Sequence, residues 1–123
     1  MDIKKLVRLD KEHIEKIRQI TQSRIFSGGS PLFYEGQTPV VAFLILDGSV
    51  NLTKNRRVKS TLRSGSLIGV KELMNNSPSS VTAEALPNTQ LCFLDRSTIQ
   101  EIIRDQQDDL SLLFKNICEA KAS

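Results

Sequence analysis

The stretch from Phe26 to Pro31, Phe-Ser-Gly-Gly-Ser-Pro, divides the chain into two kinds of apolar pattern. Before it, Ile14, Ile17 and Ile20 recur at three-residue spacing, with Lys11, Glu12, Glu15, Lys16 and Arg18 on the remaining surface and Asp10 placed as a cap. That pattern is an amphipathic helix. After it come short β-favouring runs separated by turn formers: LFYEG, PVVAFLIL, Asp47-Gly48, SVNLTK, a turn near Asn55, VKSTL, Gly65-Ser66, LIG, VTAEAL, Pro87-Asn88-Thr89 and QLCFL. Asp47-Gly48 is expected to close a hairpin. Strands of this length and spacing predict an antiparallel barrel or double-sheet roll of roughly eight strands, which buries its inner face and leaves few edges open.

Helical spacing returns near the C-terminus. Ser97 with Gln100 reads as a capping box ahead of Ile99, Ile102 and Ile103. Asp108 and Asp109 suit a second helix start, and Leu110, Leu113, Phe114, Ile117 and Cys118 then fall at i, i+3, i+4, i+7 and i+8. Both stripes must bury themselves against the strand block. The expected plan is one domain over residues 1–123: an N-terminal helical segment (1–24), a β-roll interrupted by one short helix (25–95) and two C-terminal helices (96–123). A chain of this length buries about two-thirds of its unfolded surface, enough to fold alone.

Several function classes lose ground on composition and residue placement. A net charge of +3 is too small to argue for nucleic acid by itself. Cys92 and Cys118, each in an apolar pattern, read as buried thiols of a reducing compartment, so a cytoplasmic location is expected. The basic start lacks the following apolar run of a secretory signal. The longest apolar run, Val40 to Leu46, is about a third of the ~20 residues a membrane-spanning helix needs, so no membrane partner is expected. His13 is the only histidine and lies among the charges of the first helix, which leaves the strand block without the commonest acid–base group and metal ligand. It reads as a surface residue; no catalytic residue, metal or enzymatic activity is expected. Lys54, Arg56, Arg57, Lys59 and Arg63 place five cations within ten residues at a predicted hairpin. They are either an electrostatic patch for an acidic partner or a solvated tip whose charges block edge pairing, and no aromatic residue interleaves them to stack on a base.

The stretch Gly69 to Thr82, GVKELMNNSPSSVT, sets a glycine ahead of a single helical turn and then a tight loop with serines, a backbone suited to presenting N–H groups to an anion. The run from Leu32 to Leu52 resembles the first half of the cyclic nucleotide-binding domain family, with Gly36 and Gly48 at its two turn glycines. Gly65 to Gly69 is similar to the entry of that family's phosphate-binding cassette, and Ser77 to Thr82 to its exit, with the family's ten-position spacing kept between Gly69 and Ser79. The resemblance spans about Asp10 to Ile117. It implies an eight-stranded antiparallel β-roll of the double-stranded β-helix (jelly-roll) type, mainly β with flanking helices, and a cassette helix that starts after Gly69. It also implies that Ile68, Gly69, Val70, Lys71, Ser79, Ser80, Val81 and Thr82 form the ligand site, and that Asn76, at a frequent glycine position, takes a left-handed conformation.

Two departures from the family pattern bear on function. Val70 stands where the family has the glutamate for the ribose 2′-hydroxyl, and Ser79 where it has the arginine for the cyclic phosphate. Each charge-assisted hydrogen bond is worth roughly 1.5–3 kcal/mol, so losing both weakens binding by about a hundredfold to ten-thousandfold. Lys71 cannot supply the planar fork of an arginine. The resemblance therefore implies a non-catalytic regulatory or adaptor domain with no tightly bound cofactor, acting on a protein partner, and a homodimer through the final helix of the kind relatives form. Two alternatives stand beside it. One is a receptor for a cyclic nucleotide or other anion, held by backbone donors and Ser80. The other is the effector domain of a transcription regulator, for which the stretch before Ser123 leaves no residues to form a recognition helix.

Overall fold

Asp10 accepts a hydrogen bond from the His13 backbone N–H at 3.0 Å and starts the first helix where the sequence places it. The computed structural model describes residues 8–104 and 108–119; residues 1–7, 105–107 and 120–123, which belong to the expected terminal segments, lie outside the described residues. Among the described residues the chain runs α1 (Lys11–Ile20), β1 (Ser23–Phe26), β2 (Ser30–Phe33), β3 (Ala42–Asp47), β4 (Ser49–Lys54), β5 (Arg57–Arg63), β6 (Leu67–Ile68), α2 (Val70–Met74), β7 (Thr82–Ala85), β8 (Thr89–Leu94), α3 (Arg96–Arg104) and α4 (Asp109–Glu119). The strands form two antiparallel four-stranded sheets, ordered β1-β8-β3-β6 and β2-β7-β4-β5. This is the eight-stranded roll with flanking helices that the sequence predicts.

Two cores hold it together, and β3 belongs to both. Phe43 and Ile45 point into the roll with Phe33, Val50, Leu52, Leu62, Ile68 and Leu91. Ala42 and Leu44 point the other way, into a cluster where Ile17, Leu73, Cys92, Leu94, Ile99, Leu110 and Phe114 bring the helices onto the outside of the sheet. Burial on both faces explains why AFLIL carries no polar alternation. Each fully buried Leu, Ile or Phe contributes about 1.5–3 kcal/mol, so the C-terminal helices are held by their apolar stripes rather than by propensity.

Local expectations fail where tertiary structure overrides them. Asp47-Gly48 does not close a hairpin: β3 and β4 lie in different sheets, and the dipeptide is the corner between them. Gly48 has φ +88°, and a Cβ there would lie 2.7 Å from the Thr89 Cα, so both conformation and space require glycine. Thr89 locks the corner, its hydroxyl donating to the Ser49 carbonyl at 2.9 Å and accepting from the Ser49 N–H at 3.1 Å. The cap of α3 is Asp95 rather than Ser97; its carboxylate accepts from the Thr98 N–H at 2.8 Å and from the Ser97 hydroxyl at 3.0 Å. β1 occupies residues read as helix end and turn, paired in register with β8. Ile20 and Val40, counted with apolar runs in the sequence, are both exposed, because α1 ends at Ile20 and β3 begins only at Ala42. His13, expected on the surface, is half-buried with Nδ1 3.3 Å from the Asp10 carboxylate.

Candidate functional site: the cassette between β6 and β7

β6 pairs with β3 for two residues, and Gly69 then turns the chain into α2 with φ +80° and ψ 4°. A side chain at Gly69 would meet the Phe33 ring at 3.3 Å. α2 has no side-chain N-cap, and the N–H groups of Val70, Lys71 and Glu72 have no partner among the described hydrogen bonds. The loop after it places Asn76 in the left-handed region at φ +51°, as the sequence predicts for that position.

The eight sequence-predicted site residues separate into distinct environments. Ile68 and Val81 face the inside of the roll. Val70, at the family's glutamate position, is 2% exposed and packs in the cluster beneath the helices rather than in the roll's interior. Ser79, at the arginine position, is 4% exposed, and its hydroxyl is occupied by one neighbour: it donates to the Val81 carbonyl at 2.6 Å and accepts from the Val81 N–H at 3.1 Å. The Thr82 hydroxyl accepts from the Glu35 N–H at 2.9 Å. Lys71 is half-buried and Ser80 is exposed.

The loop from Tyr34 to Val41, missed by sequence reasoning, ties the two ends of the cassette together. The Gly36 N–H donates to the Ser79 carbonyl at 2.7 Å, and the Ser79 N–H donates to the Gln37 carbonyl at 2.9 Å. Pro39 of the same loop lies beside Gly69. The cluster that includes Phe33 fills the roll's interior next to the cassette. A surface groove of about 280 Å³ lies elsewhere, between α1, α3 and α4, lined by Lys16, Ile20, Glu101, Ile102, Asp108 and Leu110.

A second missed residue is Arg96. Its guanidinium donates to the Leu73 carbonyl at 2.7 Å, to the Asn76 side-chain oxygen at 2.6 Å and to the Met74 carbonyl at 3.4 Å, closing the C-terminal end of α2. The Asn75 side chain donates to the Cys118 carbonyl of α4 at 3.0 Å. The short cassette helix is thereby fastened to both C-terminal helices. Arg96 carries a sequence signal: a cation in the first turn of a helix opposes the macrodipole and gains nothing locally.

The titratable groups around this framework serve structure. Hydrogen bonding to the Thr98 N–H holds the Asp95 carboxyl below the usual range, and the Ser111 N–H does the same for Asp108. Burial pushes both the Cys92 and Cys118 thiols up. Among the described residues no group of three or more His, Cys, Asp or Glu side chains converges as metal ligands, and no helix is long and apolar enough to cross a membrane. The basic hairpin is formed as expected, with Asn55 and Arg56 at its tip.

A two-sheet roll with a glycine-opened helical turn between its sixth and seventh strands is the architecture of a cyclic nucleotide-binding-type β-roll. The chain belongs to the cyclic nucleotide-binding domain family, whose model matches residues 23–106. It is 28% identical over 98 residues to the cyclic AMP receptor protein of Thermus thermophilus, covering 76% of this chain and 45% of that protein. It is 26% identical over 113 residues to the cAMP-dependent protein kinase regulatory subunit of Eremothecium gossypii, covering 92% of this chain and 25% of that protein. The chain thus spans less than half the length of either relative. Among solved structures, the Thermus thermophilus Catabolite Activator Protein superposes with a TM-score of 0.70 at 25% identity, over 89% of this chain and 51% of that one. A structure from a cyclic-GMP-dependent signalling pathway that regulates bacterial phytopathogenesis superposes with a TM-score of 0.77 over 89% of this chain and 90% of that one; at 19% identity it speaks to the fold alone.

Proposed function

We propose that this chain is a non-catalytic, cytoplasmic regulatory domain that acts by protein contact and whose cassette binds cyclic AMP and cyclic GMP weakly or not at all. The observation that carries this reading is the state of Ser79. At the position where the resemblance expects a guanidinium, a neutral hydroxyl is spent on the Val81 backbone and presents no charge to a phosphate. Val70 adds to it, because its side chain belongs to the helix-side core and offers no acceptor to a ribose. A second copy of the chain, docked on α4 where Leu112 is 59% exposed, is the homodimeric form this reading favours.

Isothermal titration with cyclic AMP and cyclic GMP up to millimolar concentration tests the cassette reading; no saturable heat is expected. Micromolar binding of either nucleotide overturns it in favour of a receptor that works through backbone donors and Ser80. A thermal-shift panel including cyclic dinucleotides extends the test, since ligand at a hundred times its dissociation constant stabilises by about 2.7 kcal/mol. Sedimentation velocity of the wild type against Leu112→Glu reads the dimer.

A further inference from the structure

The β4–β5 hairpin carries features that its own folding does not favour. Lys54 and Arg57 lie directly opposite each other across the ladder, a like-charge pair. The tip residues Asn55 and Arg56 both have positive φ, +53° and +65°, and Arg56 holds a position that glycine fills at less strain. No Asp or Glu occurs between Gly48 and Lys71, and the only acid in the strands of this sheet is Glu84 on β7, beyond β4. The described ion pairs, Asp10 with His13 and Lys16 with Asp108, involve none of the five hairpin cations. Among the described residues β5 is also an edge strand, with β4 on one side and no strand on the other. Lys59 sits at a register shift in the ladder, opposite no β4 residue. Strain and repulsion kept in one exposed element are the marks of a site used for something other than stability.

We infer that the outer edge of β5, with the cations at the hairpin tip, receives an extended acidic segment of a partner protein by strand addition. The edge offers unpaired backbone donors and acceptors over seven residues, about 23 Å of extended chain. Arg57, Lys59 and Arg63 supply the charge that attracts carboxylates. The same charges repel a second β5 edge and any basic strand and give a neutral strand no electrostatic gain, so they select the partner as well as protect the edge. A nucleic acid fits less well because no aromatic residue lies between Lys54 and Arg63, and a bilayer fits less well because the hairpin exposes one aliphatic side chain, Val58, and no aromatic to insert. The inference rests on the protein-contact reading above and gives that contact a surface.

The test is an NMR titration of the ¹⁵N-labelled full chain with an alternating Glu-Thr octapeptide, its Lys-Thr counterpart, a thymidine octanucleotide and phosphatidylserine vesicles. The acidic peptide alone is expected to shift the amides of Arg57 to Arg63, with affinity falling as salt is raised. Arg57→Glu places an acid opposite Lys54, so it is expected to raise the melting temperature while weakening the peptide by at least about tenfold. The Lys59→Glu, Arg63→Glu double variant is expected to weaken the peptide as much or more. Absence of β5 shifts at millimolar peptide, affinity within about twofold in both variants, or shifts produced only by oligonucleotide or vesicles would each overturn the proposal. Adding cyclic AMP to the same sample reads the amides of Gly69 to Lys71 separately, so failure of the cassette reading and failure of the edge proposal give different spectra.

Discussion

Removing the Arg96 guanidinium exposes how the cassette is held. α2 has five residues, far below the length at which an isolated helix is stable, and its terminal carbonyls need partners from outside. Arg96 supplies them with two short contacts, to the Leu73 carbonyl and the Asn76 side chain, and one long contact to the Met74 carbonyl. Fully buried charge-assisted bonds contribute about 1.5–3 kcal/mol each, but this site is part-exposed and solvent replaces much of that. Arg96→Ala also relieves an unfavourable cation at the start of α3, worth about 0.3–1 kcal/mol in the opposite sense. The expected net loss is about 1.5–2 kcal/mol. Arg96→Lys keeps the charge and one contact but not the fork, and should recover about half of it. Urea unfolding measures the global cost. Native-state hydrogen exchange measures the local one at the amides of Asn75, Asn76 and Ser77, which bond the carbonyls of Lys71, Leu73 and Glu72 and should exchange faster in both variants. If both variants lie within about 0.5 kcal/mol of wild type and those amides exchange at unchanged rates, Arg96 is not the fastening described.

Three other perturbations separate the positions that matter. Val70→Glu buries an unpaired carboxylate among Leu67, Leu73 and the other helix-side core residues, so it should cost about 3–5 kcal/mol in urea; a folded Val70→Glu, Ser79→Arg protein of unchanged stability that binds cyclic AMP would contradict the placement of Val70. Gly48→Ala combines a left-handed conformation with a contact on the Thr89 backbone that no rotamer relieves, and should lower stability by at least about 2–3 kcal/mol, read from the urea midpoint. Asp95 and Asp108 are depressed carboxyls, so their contribution is present above the unfolded value of about 3.9 and lost as pH falls through the lower folded values. Asp95→Asn keeps a capping oxygen without the charge: stability near neutral pH should change little, while the loss as pH falls below about 4 becomes shallower in urea titrations.

What the sequence disclosed and what it withheld differ in a physical way. The helical stripes of α3 and α4 and the alternation of β4 are periodic, while β3 and β8 are unbroken apolar runs bounded by turn formers, and such local patterns survive any tertiary arrangement. The cassette backbone was legible for a related reason: Gly69 and Asn76 are residues that tolerate left-handed geometry, and both adopt it. Asp47-Gly48 misled because the dipeptide specifies a reversal but not whether the next strand joins the same sheet; Thr89, far along the chain, settles that by leaving no room for a Cβ at Gly48. The side-chain direction of Val70 was not legible, since a five-residue helix has too few turns for its buried face to show as a pattern, and that of Ser79 was not because it lies in the loop before β7, where no period applies. Arg96 lies between these cases. A cation at the first position of α3 gains nothing from its own helix, and its partners are the carbonyls at the negative end of another. A residue that works against its own helix is therefore a pointer to a tertiary contact, and in this chain that contact joins the cassette to the first of the two C-terminal helices.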